Sequence, residues 1–489
     1  MYWDEGIGRA MISRFLIKNL HASSMRIRAW IFLLCLIVPS GLTQTAITPN
    51  PLQTGHVLNV VCASDATQSY ALYLPSTYTP SKRWPIVYFF DPGGRGARPL
   101  ELYKDVAEKY GFIFAGSNNS RNFGSEESKA VNSIWLDTHS RLALDEHRIY
   151  TSGFSGGARV AGAMALSCDP CQIVGVIAHG AGYPNSKSEA KNRLLYYFAV
   201  GNEDFNWPEV ITIRKEREDR GIPYRVYEYP GKHQWAPPEV MEDAVEWTIL
   251  RSMQSGGMPP DAAFVDRMFS ARQQEAEAAE KKQDAIAQLS AYRSLVSDFL
   301  SLKDTSEWGR KLTVLKTSSA LKSALKREQE QIAEQLRIES AISPKLHAYV
   351  EGQEPDPIQA RIEIVQAMAG LKNQAAHAKD EAKRLVLSRA MTDVWVDGIE
   401  TGQQELESRH FDKAESCFQL MSQVNDDPWP VLLLAETHAS MGNKELAIKD
   451  LQEVVRRGLK DAEVFASDAK LQVLKADPEF QKLLQGLKP

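Results

Sequence analysis

The sequence predicts an α/β fold, a mostly parallel sheet of about eight strands followed by an all-α C-terminal region, and three observations carry that prediction. From about His56 to Met253, short β-branched and aromatic runs alternate with helical patterns. After Gly256-Gly257-Met258-Pro259-Pro260 the strand-like runs stop, and long stretches rich in Ala, Glu, Lys, Gln and Leu take over. The last hundred residues then carry a weak internal repeat.

The strand-like runs are His56–Cys62, Tyr70–Leu74, Pro85–Phe90, Phe112–Gly116, Arg148–Ser152, Ile173–Ala178, Leu194–Val200 and Tyr224–Tyr229. Helical patterns fall between the later ones, as at Leu100–Tyr110 and Ala158–Leu166. Strands alternating with helices call for a parallel sheet covered on both faces. The first two runs, joined by a short turn, read as an antiparallel edge. Ala262 to about Ile342 reads as two or three amphipathic helices, with breaks expected at Pro344 and at Glu354-Pro355-Asp356-Pro357. Glycine-proline stretches mark domain boundaries. The division expected is a leader over 1–45, the sheet domain over 46–255, a helical linker region over 256–390 and helical repeats over 391–489.

In the repeat, Ala414 and Phe418 recur 33 residues later as Ala447 and Leu451, and Gly402 and Ala435 stand twelve residues before each alanine. Small residues at those offsets let two helices of a hairpin approach closely. A period near 34 resembles the tetratricopeptide repeat, which implies a short surface for a protein partner. The alternative is an unrelated bundle of helical hairpins.

With 489 residues, 43% hydrophobic and 24% charged, the composition is that of an ordinary globular protein of about three domains. A net charge of -5 argues against a nucleic-acid partner, which needs a basic face. Met25-Arg26-Ile27-Arg28, the apolar run Ala29–Val38 and the following Pro39-Ser40-Gly41 read as a secretory signal peptide with Met25 as the start. The run is too short to span a bilayer. The protein is therefore expected to be exported, periplasmic or secreted, with a membrane reached only through an uncleaved leader. Cys35 lacks the small preceding residue of a lipid-anchoring box. Cys168-Asp169-Pro170-Cys171 is a disulfide candidate in an exported chain. A second ligand pair for zinc is missing, so no metal is expected.

Chemistry concentrates at Gly153-Phe154-Ser155-Gly156-Gly157, where a strand ends and a helix begins. Glycines on both sides let the chain turn sharply and lift the Ser155 hydroxyl above the sheet edge. A serine nucleophile needs a base, and the base needs a carboxylate to fix its tautomer. His233 follows the last strand and Asp204 follows the one before it, where α/β sites assemble. Glu203 is the fallback acid. The order Ser155…Asp204…His233 is that of the α/β-hydrolase fold. Gly93 or Gly94, in Asp91-Pro92-Gly93-Gly94-Arg95-Gly96, is expected to hold an oxyanion together with Gly156. Trp235, Asn119 with the rest of the Asn118-Asn119-Ser120-Arg121-Asn122 loop, and His179 are candidates for the substrate pocket, each with a plain structural role as the alternative.

Residues 56–253 resemble exported esterases of the α/β-hydrolase superfamily, such as polyhydroxybutyrate depolymerases and feruloyl esterases. The resemblance rests on the Pro92-Gly93-Gly94 loop, the elbow at Ser155 and the loop at His233. It implies hydrolysis of a small-molecule or polymeric ester through an acyl-enzyme, with no cofactor. No long insertion interrupts the strands, which favours an open substrate groove. Two other readings compete: a prolyl-oligopeptidase-like peptidase, disfavoured by the missing propeller domain, and a non-catalytic partner-binding protein that uses the repeat tail.

Overall fold

The structure, a computed structural model, describes residues 52–124, 126–168, 171–182 and 194–487. The leader, with its apolar run and Cys35, lies outside the described residues. The strands are β1 (Val57–Cys62), β2 (Asp65–Tyr73), β3 (Trp84–Phe90), β4 (Ile113–Ser117), β5 (Leu144–Phe154), β6 (Gly175–His179), β7 (Leu195–Gly201) and β8 (Tyr224–Tyr229). They form one sheet in the order β1-β2-β4-β3-β5-β6-β7-β8. β2 is antiparallel to both its neighbours, and every pairing from β4 to β8 is parallel. This is the α/β-hydrolase fold.

The middle strands β3 and β7 are buried at every residue, which is why they read as unbroken apolar runs. β2 begins five residues before the Tyr70 expected from sequence. Its polar start, Asp65 to Ser69, pairs with β1 at an edge where hydrophobic alternation gives no signal.

Helices cover both faces. On one, α1 (Ala97–Tyr110) and α5 (Pro238–Gln254) bury Leu100, Tyr103, Val240 and Ala244 against Val87, Phe89 and Tyr197. On the other, α2 (Glu127–Arg141), α3 (Gly156–Ser167) and α4 (Trp207–Arg220) bury Ile134, Ala158, Val210 and Ile211 against Ile86, Tyr88 and Phe198.

The chain from Ala262 is helical: α6 (Ala262–Lys281), α7 (Ala285–Ser297), α8 (Ser306–Thr317), α9 (Ser319–Val350), α10 (Pro357–His377), α11 (Glu381–Glu407), α12 (Phe411–Val424), α13 (Trp429–Ser440), α14 (Lys444–Arg456), α15 (Ala462–Ser467) and α16 (Pro478–Gly486). One expectation is corrected here. Pro344 does not break the chain but lies inside the 32-residue α9. Proline removes one backbone hydrogen bond, yet Ile338, Ile342, Leu346 and Val350 flank it on a face buried against α10 and α11. Tertiary packing outweighs the local penalty. The break at Pro355 and Pro357 is real, with the Asp356 side chain capping α10.

The helices share the cores of the sheet domain rather than hanging from it. Val265 and Met268 of α6 join one face, and Ile332 of α9 joins the other. In the tail, Ala414, Ala435 and Ala447 are fully buried, and a methyl on Gly402 would collide with the Phe418 ring. The described residues include no helix long and apolar enough to cross a membrane.

Candidate active site

β5 ends at Phe154 and α3 begins at Gly156, leaving Ser155 alone in the turn at φ 54 and ψ -123. A non-glycine residue pays for such a backbone, and strain of this kind collects at functional positions. The surroundings enforce it. A methyl on Gly153 would strike the Gly157 carbonyl, and one on Gly157 would strike the Phe90 carbonyl at the end of β3. The Ser155 N–H donates to the carbonyl of His179 at 2.9 Å. As the first residue of α3, Gly156 has an N–H without an intrahelical acceptor, at the positive end of the helix.

Asp204 follows β7 and is fully buried. Its carboxylate accepts from the Asn206 N–H at 2.9 Å and from His233 Nδ1 at 2.9 and 3.0 Å. The imidazole sits between the rings of Phe154 and Phe205, at centroid separations of 4.5 and 4.3 Å. With Nδ1 committed to the carboxylate, Nε2 is left as the basic nitrogen. Among the described residues no hydrogen bond joins the Ser155 hydroxyl to His233. Catalytic pairs of this kind often tighten only around substrate.

Other expectations are revised. Gly93 donates its N–H to Asp91 Oδ1 at 2.9 Å, and Gly94 donates to the Asp91 carbonyl at 3.0 Å. Both groups expected to bind an oxyanion are thus occupied by Asp91. The same buried carboxylate accepts from Arg95 Nε at 2.8 Å and Trp235 Nε1 at 2.9 Å. Its task is to hold the glycine loop and the histidine loop together.

Trp235, Asn119 and His179 each have structural contacts of their own. Asn119 is turned to the sheet edge, accepting from the Ser69 N–H at 2.8 Å and donating to the Thr67 carbonyl at 3.2 Å. Trp235 and His179 pack beneath the site with Tyr103, and His179 is completely buried. Burial pushes the His179 imidazole down to about 3, so it is neutral across the physiological range. Glu203 is taken by Arg384 of α11, whose Nη2 donates to it at 3.2 Å, and it does not reach His233. Cys168 and Cys171 form a disulfide, with Cα atoms 5.3 Å apart.

Of the neighbours of Ser155, the sequence reading included Asn122, in its pocket loop, but not Arg159 or Glu400. The Asn122 side chain lies where a Cβ on Gly156 would be, its Oδ1 nearest, so a methyl there would push that amide aside. The next residue, Phe123, is held at φ 61. Arg159, one turn into α3, forms a two-pronged ion pair with Glu209 at 3.0 and 3.2 Å. Glu400 of α11 is raised by burial, an effect opposed by the charges of Arg159 and His233. Helix α11, from far along the chain, therefore comes near the site.

No protein-family model matches the sequence, and no curated protein matches it. Solved structures do. The chain is similar to the fluorophosphonate-binding serine hydrolase F of Staphylococcus aureus, at 13% identity over 40% of this chain and 97% of that one, with a TM-score of 0.33. It is similar to the feruloyl esterase module from Clostridium thermocellum, at 13% identity over 39% and 84%, with a TM-score of 0.32. An S-formylglutathione hydrolase from Agrobacterium tumefaciens matches at 12% identity over 39% and 93%, with a TM-score of 0.31.

Proposed function

We propose that this chain is a serine hydrolase that cleaves carboxylic esters through an acyl-enzyme, with Ser155 as nucleophile, His233 as base and Asp204 as the orienting acid. The observation that carries the reading is the strained Ser155 elbow, whose preceding residue Phe154 lies with its ring 4.5 Å from that of His233 in the Asp204–His233 pair. His233 Nε2 takes the hydroxyl proton as Ser155 Oγ bonds to the carbonyl carbon. The tetrahedral oxyanion then collapses, the ester C–O bond breaks, and His233 returns the proton to the departing alcohol. Water attacks the acyl-enzyme by the same route in reverse, releasing the acid and restoring the serine.

The oxyanion needs donors, and the Gly93 and Gly94 N–H groups are held by Asp91. Gly156 N–H, with the Asn122 side-chain amide beside it, fills that role in this proposal. The same reading has the enzyme exported to the periplasm or secreted, which the leader pattern and the Cys168–Cys171 disulfide support; N-terminal sequencing of the mature protein tests it. The activity is tested on a panel of short p-nitrophenyl esters and peptide amides. Hydrolysis of the esters, lost in Ser155→Ala, is the expected result. Turnover of the amides alone would move the protein to the peptidases.

A further inference from the structure

The turn that carries Asp204, Asn202 to Trp207, is gripped from outside the sheet domain. Arg389 of α11 donates through Nη1 to the Asn202 carbonyl at 3.0 Å and lies 4.1 Å over the Trp207 ring. Its Nε and Nη2 donate to Gln335 and Gln331 of α9 at 3.0 and 3.2 Å. Gln335 in turn donates to the Phe205 carbonyl at 3.0 Å. Two helices thus bind this turn at residues 202, 205 and 207, on either side of the acid. Asn202 passes the grip on: its side chain accepts from the Gly231 N–H at 3.2 Å, two residues before His233. The Glu203 N–H also donates to the Gly231 carbonyl, at 2.8 Å.

Arg389 is an expensive way to make a helix contact. It is 1% exposed, and among the described residues no carboxylate forms an ion pair with it. A buried guanidinium without a paired anion costs more than an apolar side chain of similar volume. Burial lowers it to about 10, with Glu228, Glu339 and Asp204 opposing from a distance, so it stays cationic near neutrality. Its planar fork of donors, which lysine lacks, matches the three acceptors it meets.

We infer that Arg389 is a positioning residue for hydrolysis, holding the Asn202–Trp207 turn so that Asp204 and His233 stay aligned, and that α9 and α11 are therefore part of the catalytic unit. This rests on the esterase reading above. It also explains why the helical region shares a core with the sheet: a tail fixed by Ile332 can act as a rigid mount.

The test uses the full chain and compares wild type, Arg389→Met, Arg389→Lys and Arg384→Ala. Thermal unfolding of each is followed by far-UV circular dichroism, and fluorophosphonate labelling of Ser155 gives the fraction of competent enzyme. For folded Arg389→Met, kcat on p-nitrophenyl acetate is expected to fall about 10- to 100-fold with KM within about threefold, since small misplacements of a catalytic group cost that much. The acid limb of its kcat/KM profile shifts as well. Arg389→Lys, which keeps a donor for Asn202, recovers part of the loss, and Arg384→Ala, which removes only a partly exposed ion pair with Glu203, stays near wild type. A folded Arg389→Met with unchanged kcat and pH profile overturns the inference. Failure of the wild type itself to label overturns the esterase reading instead, so the two are separable.

Discussion

Both carboxylate oxygens of Asp204 lie within hydrogen-bond distance of a single nitrogen, His233 Nδ1, at 2.9 and 3.0 Å. Gly180 makes this closeness feasible. At φ 61 it lies against the pair, and a Cβ there would come within 2.8 Å of Asp204 Oδ2 and 3.2 Å of His233 Nδ1. The carboxylate that pairs with His233 is thus Asp204, while its neighbour Glu203 is tied to Arg384. Asp204→Asn is expected to lower kcat by on the order of 10³-fold or more, because the amide favours the wrong imidazole tautomer. Glu203→Gln should leave it within about threefold, as loss of a partly exposed ion pair does. Steady-state kinetics on a p-nitrophenyl ester distinguishes the two.

Asn122 beside Gly156 leads to a second prediction. If its amide donates to the oxyanion, Asn122→Ala lowers kcat by about 10²- to 10³-fold while KM barely moves, since the bond forms only in the transition state. Gly156→Ala, which drives a methyl into that amide, should fail in the same way. A raised KM with unchanged kcat would assign Asn122 to ground-state contacts.

His179 gives a prediction about stability. Burial holds its folded-state value near 3, below the ordinary 6.5, and neither ring nitrogen has a hydrogen-bond partner. Between those values the unfolded chain binds a proton that the folded protein refuses. Stability from this residue is complete above 6.5 and declines as pH falls, by up to about 1.4 kcal/mol per pH unit. His179→Phe keeps the stacking on Tyr103 and Trp235 and removes that slope. Urea denaturation at pH 7 and pH 5 should therefore show a smaller loss in the variant than in the wild type.

The fold could be read from the sequence because its signals are local. The runs that became β3, β5, β7 and β8 are apolar or aromatic and bounded by turns, and the elbow announces itself in five residues. Asp204 and His233 were accessible for the same reason, each lying just past a strand end. What stayed hidden depends on partners distant in sequence. The Gly93 and Gly94 N–H groups are consumed by Asp91, a fact of loop conformation that spacing does not encode. Asn119 and Asn122 stand three residues apart in one loop, and only the folded turn sends the first to the sheet edge and the second to Ser155. Pro344 misled because helix breaking is a local rule overridden by packing along α9. Arg389 left one trace: it shares a helical face with the buried Val386, Ala390 and Val394, an odd place for a charge.

The central claim is that Ser155 is an activated nucleophile. Its most direct test is intact-protein mass spectrometry after incubation with a fluorophosphonate, in which the Ser155 oxygen–phosphorus bond forms as fluoride leaves. A single adduct per chain is predicted, mapped to the peptide containing Ser155 and absent in Ser155→Ala and, at matched times, in His233→Ala. Folded wild-type protein that takes up no adduct, or takes it up elsewhere, would contradict the account.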